Sequence, residues 1–339
     1  NGTLIDGSGS KRYLADILIE NEKIKKIGKL DLTADKVIDA SGKIVSPGFI
    51  DTHSHSDLKV LIEPFVEPKI RQGITTEILG QDGISMAPLP EEYVSSWRKN
   101  LAGLDGDSDE LKWNWKNTDG YLNLISKTGS GPNELYLVPH GNIRMEAMGL
   151  EARVATKEEL EKMKEITRRE MEAGVAGLST GLIYIPCAYA ETEELIEICK
   201  VAAEYGRPLV IHQRSEADTM LESMQEVIRI AKESGVKIHF SHFKICGQKN
   251  WKLIEPVIAL LDKCKEEGIN VSYDQYPYVA GSTMLGVILP PWAHAGGTDK
   301  LIERLKDKSL REKMKNINMI NWEIYISQHI YLKINWIKS

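Results

Sequence analysis

An amphipathic helix, a glycine and a short β-branched run recur four times along the middle of the chain. The junction glycines lie about 30 residues apart, at positions 174, 206, 235 and 268. Each stands where a helix C-terminus needs a left-handed residue before the turn into a strand. The first of these helices opens on Thr156 with Glu159 three residues later, a spacing that predicts a capping box.

Seven short runs are predicted as strands. Three come early in the chain, at 48–53, 75–79 and 135–138, and four follow the junction glycines, at 175–179, 208–212, 236–242 and 269–274. A repeated βα unit predicts parallel strands joined by helices, in an open sheet or a closed barrel. No dinucleotide-binding glycine motif follows the first strand. We therefore expect an α/β fold and favour a TIM-like (β/α)8 barrel, whose eighth strand is missing from the pattern.

The first 45 residues have a different pattern. Short alternating stretches at 15–19, 23–27 and 36–38 are separated by turn residues such as Gly28 and Gly42. They predict a small β domain at 1–45, and the barrel pattern begins after it.

Composition narrows the class of protein. The chain has 339 residues, of which 42% are hydrophobic and 27% charged, with a net charge of −6. Dispersed basic residues argue against a nucleic-acid partner, and no run approaches the roughly 18 apolar residues of a membrane span. The four cysteines form no CxxC pair, which is typical of a reduced, cytoplasmic protein.

Histidines stand at the ends of predicted strands. His53 and His55 close the first barrel strand and share one face, because side chains alternate along a strand. His212 and His242 end two later strands 30 residues apart, and Asp82 lies just past the second strand. A single histidine is more often an ordinary polar residue, but carboxyl ends of parallel strands meet at one edge. Together they predict a metal site.

Cations and hydroxyl groups accompany these ligands. Arg214 and Lys244 each follow a strand-end histidine by two residues, on the same strand face. Such cations suit an anionic group of a substrate, such as a carboxylate, although pairing with an acid such as Glu216 is an alternative. Tyr276 and Ser282 follow the seventh strand, where they could shape the pocket.

The remaining polar groups are weaker candidates for a functional site. The run Asp105-Gly-Asp-Ser-Asp109 resembles a calcium loop, but its sixth residue is Glu110 rather than Gly, so we expect a solvated loop. His140 ends the third strand and contacts either substrate or structural partners, whereas His239 lies on the opposite strand face and is expected to be structural.

Several segments together resemble a known family. The run Val45-Ser-Pro-Gly-Phe-Ile-Asp-Thr-His-Ser-His55 is similar to the first barrel strand of the amidohydrolase superfamily. Five further segments resemble the D-aminoacylase (N-acyl-D-amino-acid deacylase) branch of this superfamily. They lie at 73–80, 177–186, 212–216, 241–244 and 274–278. The resemblance runs from about residue 1 to about residue 327. It implies a TIM-like barrel of the metal-dependent hydrolase type at 46–327, a composite small β domain of which 1–45 is the N-terminal part, and a divergent tail at 328–339.

The resemblance implies a hydrolase of linear amide C–N bonds acting on a small-molecule N-acyl amino acid. It implies one or two zinc ions, held weakly by His53 and His55 and more tightly by His212 and His242. It also implies that four residues hold the substrate carboxylate or line its pocket: Tyr184, Lys244, Tyr276 and Ser282.

Two departures from the family pattern matter. Asp82 stands where the family usually has a bridging Cys, and a hard carboxylate makes Mn or Co possible beside Zn. The family's catalytic Asp at the end of strand eight has no counterpart, because no Asp follows Asp307. No catalytic residue is therefore assigned, and we expect a chain truncated at its C-terminus with impaired activity.

Two other functions remain open from the sequence. One is a cyclic amidase resembling hydantoinase or dihydroorotase, and the other is a truncated metal-binding barrel without catalysis. Lys244, with the Tyr-Pro-Tyr run at 276–278, favours the linear amidase.

Overall fold

The computed structural model of the chain describes residues 1–315. The last part of the predicted barrel, 316–327, and the predicted tail at 328–339 lie outside them. A small mixed sheet comes first, in the order β3-β2-β1-β4. Its strands are β1 (Gly2–Leu4), β2 (Tyr13–Glu20), β3 (Lys23–Gly28) and β4 (Ile44–Val45). β1 pairs antiparallel with β2 and parallel with β4. The stretch predicted at 36–38 forms no strand, and the boundaries of the domains stay predictions.

The larger sheet is parallel and follows chain order from one edge to the other. Its strands are β5 (Phe49–Asp51), β6 (Ile74–Leu79), β7 (Asn133–Pro139), β8 (Gly177–Gly181), β9 (Leu209–His212), β10 (Ile238–Phe240) and β11 (Val271–Tyr273). These are the seven predicted strands, shifted by a few residues at their ends. Within residues 1–315, β5 and β11 are the edges of this sheet.

The sheet is curled as in a barrel. Neighbouring strands lie about 4.8 Å apart, so the edges of a flat seven-stranded sheet would be about 29 Å apart. His53 follows β5 and Asp274 follows β11, yet His53 Nδ1 lies 3.6 Å from Asp274 Oδ2. The carboxyl ends of the two edge strands are therefore brought together, which confirms the barrel-like architecture.

Helices connect the strands. They are α1 (Lys59–Ile62), α2 (Glu67–Ile70), α3 (Val94–Leu101), α4 (Thr118–Thr128), α5 (His140–Met148), α6 (Lys157–Glu172), α7 (Thr192–Glu204), α8 (Met220–Ser234), α9 (Ile254–Glu266), α10 (Thr298–Lys306) and α11 (Lys308–Lys315). None of them is long and apolar enough to cross a membrane. The apolar positions of α6 are buried, as Met163 and Ile166 show, because its stripe faces the core.

Local sequence signals predicted where these helices begin and end. Thr156 and Glu159 form both hydrogen bonds of a capping box at the start of α6. The junction glycines all have positive φ, between 65° and 91°. Glycine is favoured there because other residues are strained in this conformation.

Candidate metal centre and cavity

The predicted metal ligands all stand at carboxyl ends of strands. His53 and His55 follow β5, His212 is the last residue of β9, and His242 follows β10. His242 has a φ of 36°, and its backbone N–H donates to Asp274 Oδ1 at 2.5 Å. This contact helps hold the backbone of His242 in the left-handed region, and the ring nitrogen Nε2 lies near Asp82.

The carboxylate of Asp82 lies between two pairs of histidines. Its Oδ2 is 3.7 Å from His53 Nε2 and 3.4 Å from His55 Nε2. Its Oδ1 is 3.8 Å from His212 Nδ1 and 3.6 Å from His242 Nε2. A tetrahedral site with bonds of about 2.0–2.1 Å has neighbouring ligand atoms about 3.3 Å apart. The spacing therefore fits two metal positions bridged by one carboxylate.

Unpartnered polar atoms support this fit. Asp82 Oδ1 and His212 Nδ1 are buried, and neither has a hydrogen-bond partner among the described residues. Buried polar groups are normally hydrogen-bonded or coordinate a metal. Imidazole and carboxylate together suit Zn²⁺, Mn²⁺ or Co²⁺, so the residues present fit the predicted metal.

The surroundings shift the pKa values of the ligands in different directions. Burial, reinforced by the nearby charge of His242, lowers the pKa of His212 to about 3, which keeps its imidazole neutral. Burial would lower the pKa of His242 too, but the Asp82 and Glu216 carboxylates outweigh it and raise that pKa to about 9. Burial alone would raise the pKa of Asp82, whereas His53 and His242 hold it well below its usual range.

Glu216 holds His242 from the side opposite Asp82. Its Oε1 accepts from His242 Nδ1 at 2.8 Å, and its Oε2 accepts from Lys244 Nζ at 2.6 Å. A carboxylate in this position fixes the tautomer and the orientation of a ligating imidazole. Sequence reasoning treated Glu216 only as a partner for cations and missed this role.

Asp274 is a second carboxylate that sequence reasoning left out of the site. It directly follows β11, lines the cavity and accepts from His239 Nε2 at 2.9 Å. Burial would raise its pKa, but His239 and His53 hold that pKa well below its usual range. The predicted strand at 269–274 ended on this residue, so the strand-end rule that found the histidines could have found it. His239 is a supporting residue, as expected.

A tight turn carries Asp82. The residue itself has a φ of 58°, and Gly83 follows with a φ of 72°. A Cβ on Gly83 would lie 2.7 Å from Thr180 Cα, and one on Gly181 would lie 2.3 Å from the Asp82 carbonyl oxygen. The turn and the end of β8 therefore pack backbone against backbone, which places Asp82 at the centre.

A cavity of about 610 Å³ opens over the five ligands. Its lining includes the four substrate residues that the resemblance implies: Tyr184, Lys244, Tyr276 and Ser282. Lys244 Nζ lies 5.3 Å from the centre of the Tyr276 ring, and the Tyr184 hydroxyl is 2.8 Å from Thr283 Oγ1. Among the described residues that line this cavity, Lys244 is the only Lys or Arg.

Arg214 is not brought into the cavity lining, in contrast to its prediction as a substrate-binding residue. Its guanidinium donates to both carboxylate oxygens of Glu226 on α8, at 3.0 and 2.9 Å. It also donates to the carbonyl of Ala190 at 3.1 Å. These acceptors hold the guanidinium outside the cavity, so the alternative of pairing with an acid applies here, with Glu226 rather than Glu216.

The acidic run at 105–109 is not uniformly solvated, which corrects the sequence prediction. Asp107 and Asp109 are exposed and pair with Arg98, but the Asp105 side chain is only 1% exposed. It lies against His55, with Asp105 Oδ1 3.4 Å from His55 Nδ1. Burial raises the pKa of Asp105. The turn after α3 thus folds its first Asp inward.

His140 lies in a structural network rather than in the cavity. It is fully buried and contacts Thr180 Oγ1 at 2.9 Å and Glu194 Oε1 at 2.8 Å. Arg144 donates to the other oxygen of Glu194. Of the two roles left open by the sequence, the structural one applies.

Comparisons with known proteins agree with this geometry. Residues 36–265 match the profile of the amidohydrolase family. The chain is 36% identical over 285 residues to a D-aminoacylase and to an N-acyl-D-glutamate deacylase, both of Alcaligenes xylosoxydans xylosoxydans. Each alignment covers 84% of this chain and 57% of the relative, so the chain spans little more than half of their length.

The solved structures that resemble this chain also include an N-acyl-D-glutamate deacylase and a D-aminoacylase. An N-acyl-D-glutamate deacylase of Bordetella bronchiseptica, complexed with zinc and a phosphonate inhibitor, superposes with a TM-score of 0.76 at 36% identity, covering 82% of this chain and 57% of that one. A D-aminoacylase studied for its binuclear metal centre superposes with a TM-score of 0.78 at 32% identity, covering 94% and 68%. The chain belongs to the amidohydrolase family.

Proposed function

We propose that this chain forms the metal-binding barrel of an N-acyl-D-amino-acid deacylase, which hydrolyses the amide bond of a small N-acylated D-amino acid. The observation that carries the proposal is the Asp82 carboxylate between two histidine pairs, beneath a cavity whose lining contains Lys244. The similarity to D-aminoacylase and N-acyl-D-glutamate deacylase supports this substrate class. The free thiols of all four cysteines support a reducing, cytoplasmic location.

The metal ligands would be His53, His55, Asp82, His212 and His242. We propose Zn²⁺ because a zinc complex of a similar deacylase is known, with Mn²⁺ or Co²⁺ as alternatives that the carboxylate bridge allows. A bound divalent ion supplies Lewis acidity to the amide carbonyl and to water at this point.

The protein's own groups would bind and orient the substrate. Lys244 Nζ lines the cavity beside the Tyr276 ring, and although it is paired with Glu216, an ammonium group can donate to further acceptors, which suits the carboxylate of an amino acid. Ser282 offers a hydroxyl on the cavity wall. With the carboxylate held at Lys244, the acyl amide would extend toward Asp82.

The described residues support a proton-transfer group less well than they support metal binding and substrate binding. The general acid–base carboxylate expected at the end of an eighth strand is not among residues 1–315, where the larger sheet has seven strands. Such a group typically contributes about 10²–10⁴-fold to the rate. We therefore assign substrate binding and metal binding to the described residues and assign no proton-transfer group among them.

The test is hydrolysis of N-acetyl-D-glutamate, N-acetyl-D-aspartate and N-acetyl-D-leucine by the zinc-loaded chain, with the L-enantiomers and hydantoin as comparisons. We expect release of the D-amino acid above the uncatalysed rate and no release from the L-enantiomers. Opening of hydantoin without deacylation would instead identify a cyclic amidase. Metal uptake without turnover of any amide would identify a metal-binding barrel without catalysis.

A further inference from the structure

A second group of buried acids lies on the far side of His55 from the Asp82 centre. His55 Nε2 faces Asp82, whereas its Nδ1 faces Asp105 at 3.4 Å. Asp57 joins Asp105 there, and one ligand atom from each of the three residues lies within 4.8 Å of the others. The side chains of Asp57 and Asp105 are almost entirely buried.

The hydrogen bonds of these two carboxylates are incomplete. Asp57 Oδ1 accepts from the Gly80 N–H at 2.8 Å and from the Ser85 hydroxyl. Asp57 Oδ2 and both oxygens of Asp105 are buried without a hydrogen-bond partner among the described residues. Within residues 1–315, neither carboxylate forms an ion pair with a Lys or Arg. Buried carboxylates are normally paired or coordinate a metal.

We propose that His55 Nδ1, Asp57 Oδ2 and the Asp105 carboxylate form a second divalent-cation site, which adjoins the Asp82 centre and shares the His55 ring with it. One imidazole nitrogen with two carboxylates suits Mn²⁺ or Zn²⁺. A cation there would neutralise the two buried negative charges and give the three unpartnered oxygens a ligand. When His55 Nε2 also ligates a metal, binding at Nδ1 releases the proton that Nδ1 otherwise carries.

A simpler role for Asp105 would be to orient His55 as an acceptor for its Nδ1–H. The 3.4 Å contact does not meet hydrogen-bond geometry, since both Asp105 oxygens remain without a partner. That role would also leave Asp57 Oδ2 unpartnered. The group is therefore better explained by a cation than by one hydrogen bond.

The direct test is a crystal of the unaltered chain soaked in ZnCl₂, with anomalous difference maps recorded at the zinc edge. We expect a peak within about 2.3 Å of both the Asp57 and Asp105 carboxylates, besides density at Asp82. The proposal is overturned by zinc density confined to the Asp82 centre, with Asp105 hydrogen-bonded to His55 Nδ1.

Metal counting gives a second test in solution. The variant Asp82→Ala/His212→Ala removes the bridging ligand of the other centre but keeps His55, Asp57 and Asp105. After equilibrium dialysis against ZnCl₂, we expect it to retain one zinc, which adding Asp105→Asn removes. Adding Asp107→Asn, in the same turn but exposed, should leave that zinc in place. A background variant without zinc, or an Asp105→Asn variant that retains it, would exclude the site.

Discussion

Glu216 and His242 are joined by a hydrogen bond of 2.8 Å between Oε1 and Nδ1. The other nitrogen of the same ring, Nε2, lies 3.6 Å from Asp82 Oδ1. A carboxylate behind a ligating imidazole raises its basicity and fixes its orientation. The metal affinity of this centre therefore depends on Glu216, which itself contacts no metal position.

Replacing Glu216 tests this dependence. We expect Glu216→Gln to weaken zinc binding about 10–100-fold, because His242 loses its charged acceptor. Competition with a chromophoric chelator measures the affinity. Glu226→Gln is the matched control, since it also removes a carboxylate paired with a cation but lies outside the cavity. Equal affinities in the two variants would contradict the role of Glu216.

The identity of residue 82 should set the preference among metals. Asp82→Cys replaces a hard carboxylate by a soft thiolate, so we expect zinc to bind more than tenfold tighter relative to manganese than in the unaltered chain. Equilibrium dialysis against mixtures of the two ions measures the ratio. An unchanged ratio would show that the histidines alone determine the preference.

Metal binding should depend on pH. The raised pKa of His242, about 9, means that the metal-free ring is protonated at pH 7 and that a metal must displace this proton. Each proton released strengthens binding about tenfold per pH unit. Above the ordinary histidine pKa of 6.5, the metal-free chain loses the stability of the His242–carboxylate pairs as pH rises through about 9.

As pH rises, both effects increase the stability of the zinc-loaded protein relative to that of the metal-free protein. We therefore expect the increase in Tm produced by zinc to grow steadily from pH 6 to pH 8.5. Thermal melts with and without ZnCl₂ at four pH values measure it. A constant or shrinking increase would refute the proton displacement.

The two cations near the histidines should differ in their effect on substrate. Lys244 lies in the cavity lining, whereas Arg214 is bound to Glu226 outside it. Lys244→Met should raise the KM for an N-acetyl-D-amino acid roughly 10–100-fold, as expected for losing a charged hydrogen bond. Arg214→Met should change KM less than about twofold. Zinc content measured in parallel separates substrate binding from an effect on His242, and similar KM values in both variants would contradict the assignment.

The buried Arg144–Glu194–His140 network should contribute strongly to stability. Glu194→Gln leaves Arg144 buried without its countercharge, which typically costs about 3–5 kcal/mol. Glu197→Gln, on the same helix, breaks surface pairs with Lys200 and Lys164 and should change the free energy of unfolding by less than about 1 kcal/mol. Urea unfolding of both variants measures the difference, and equal midpoints would show that the network is not stabilising.

Much of this site could be predicted because it depends on local signals. Junction glycines and β-branched runs placed the strand ends, and His212 and His242 stand on those ends. Asp105 could not be found in this way. Its burial depends on how the turn after α3 folds against His55, a contact between residues 50 positions apart, and its neighbours Asp107 and Asp109 are solvated.

Arg214 shows that sequence periodicity also fails to predict where a side chain points. Its position two residues after His212 placed it correctly near the rim, but periodicity does not reveal competing acceptors. Glu226 is supplied by α8, and the tertiary arrangement decides that the guanidinium turns toward it. Sequence periodicity thus predicts which edge a residue occupies, while partners from other elements decide where its side chain points.

Because of the backbone contact between the Asp82 turn and the end of β8, the position of residue 82 and its metal chemistry can change independently. Gly83 and Gly181 fix the position of residue 82 through main-chain packing, so its placement does not depend on which side chain it carries. An exchange between Cys and Asp at this position would alter the metal chemistry while the surrounding backbone stays unchanged. The glycines, rather than the ligand, are then the residues least free to drift during evolution.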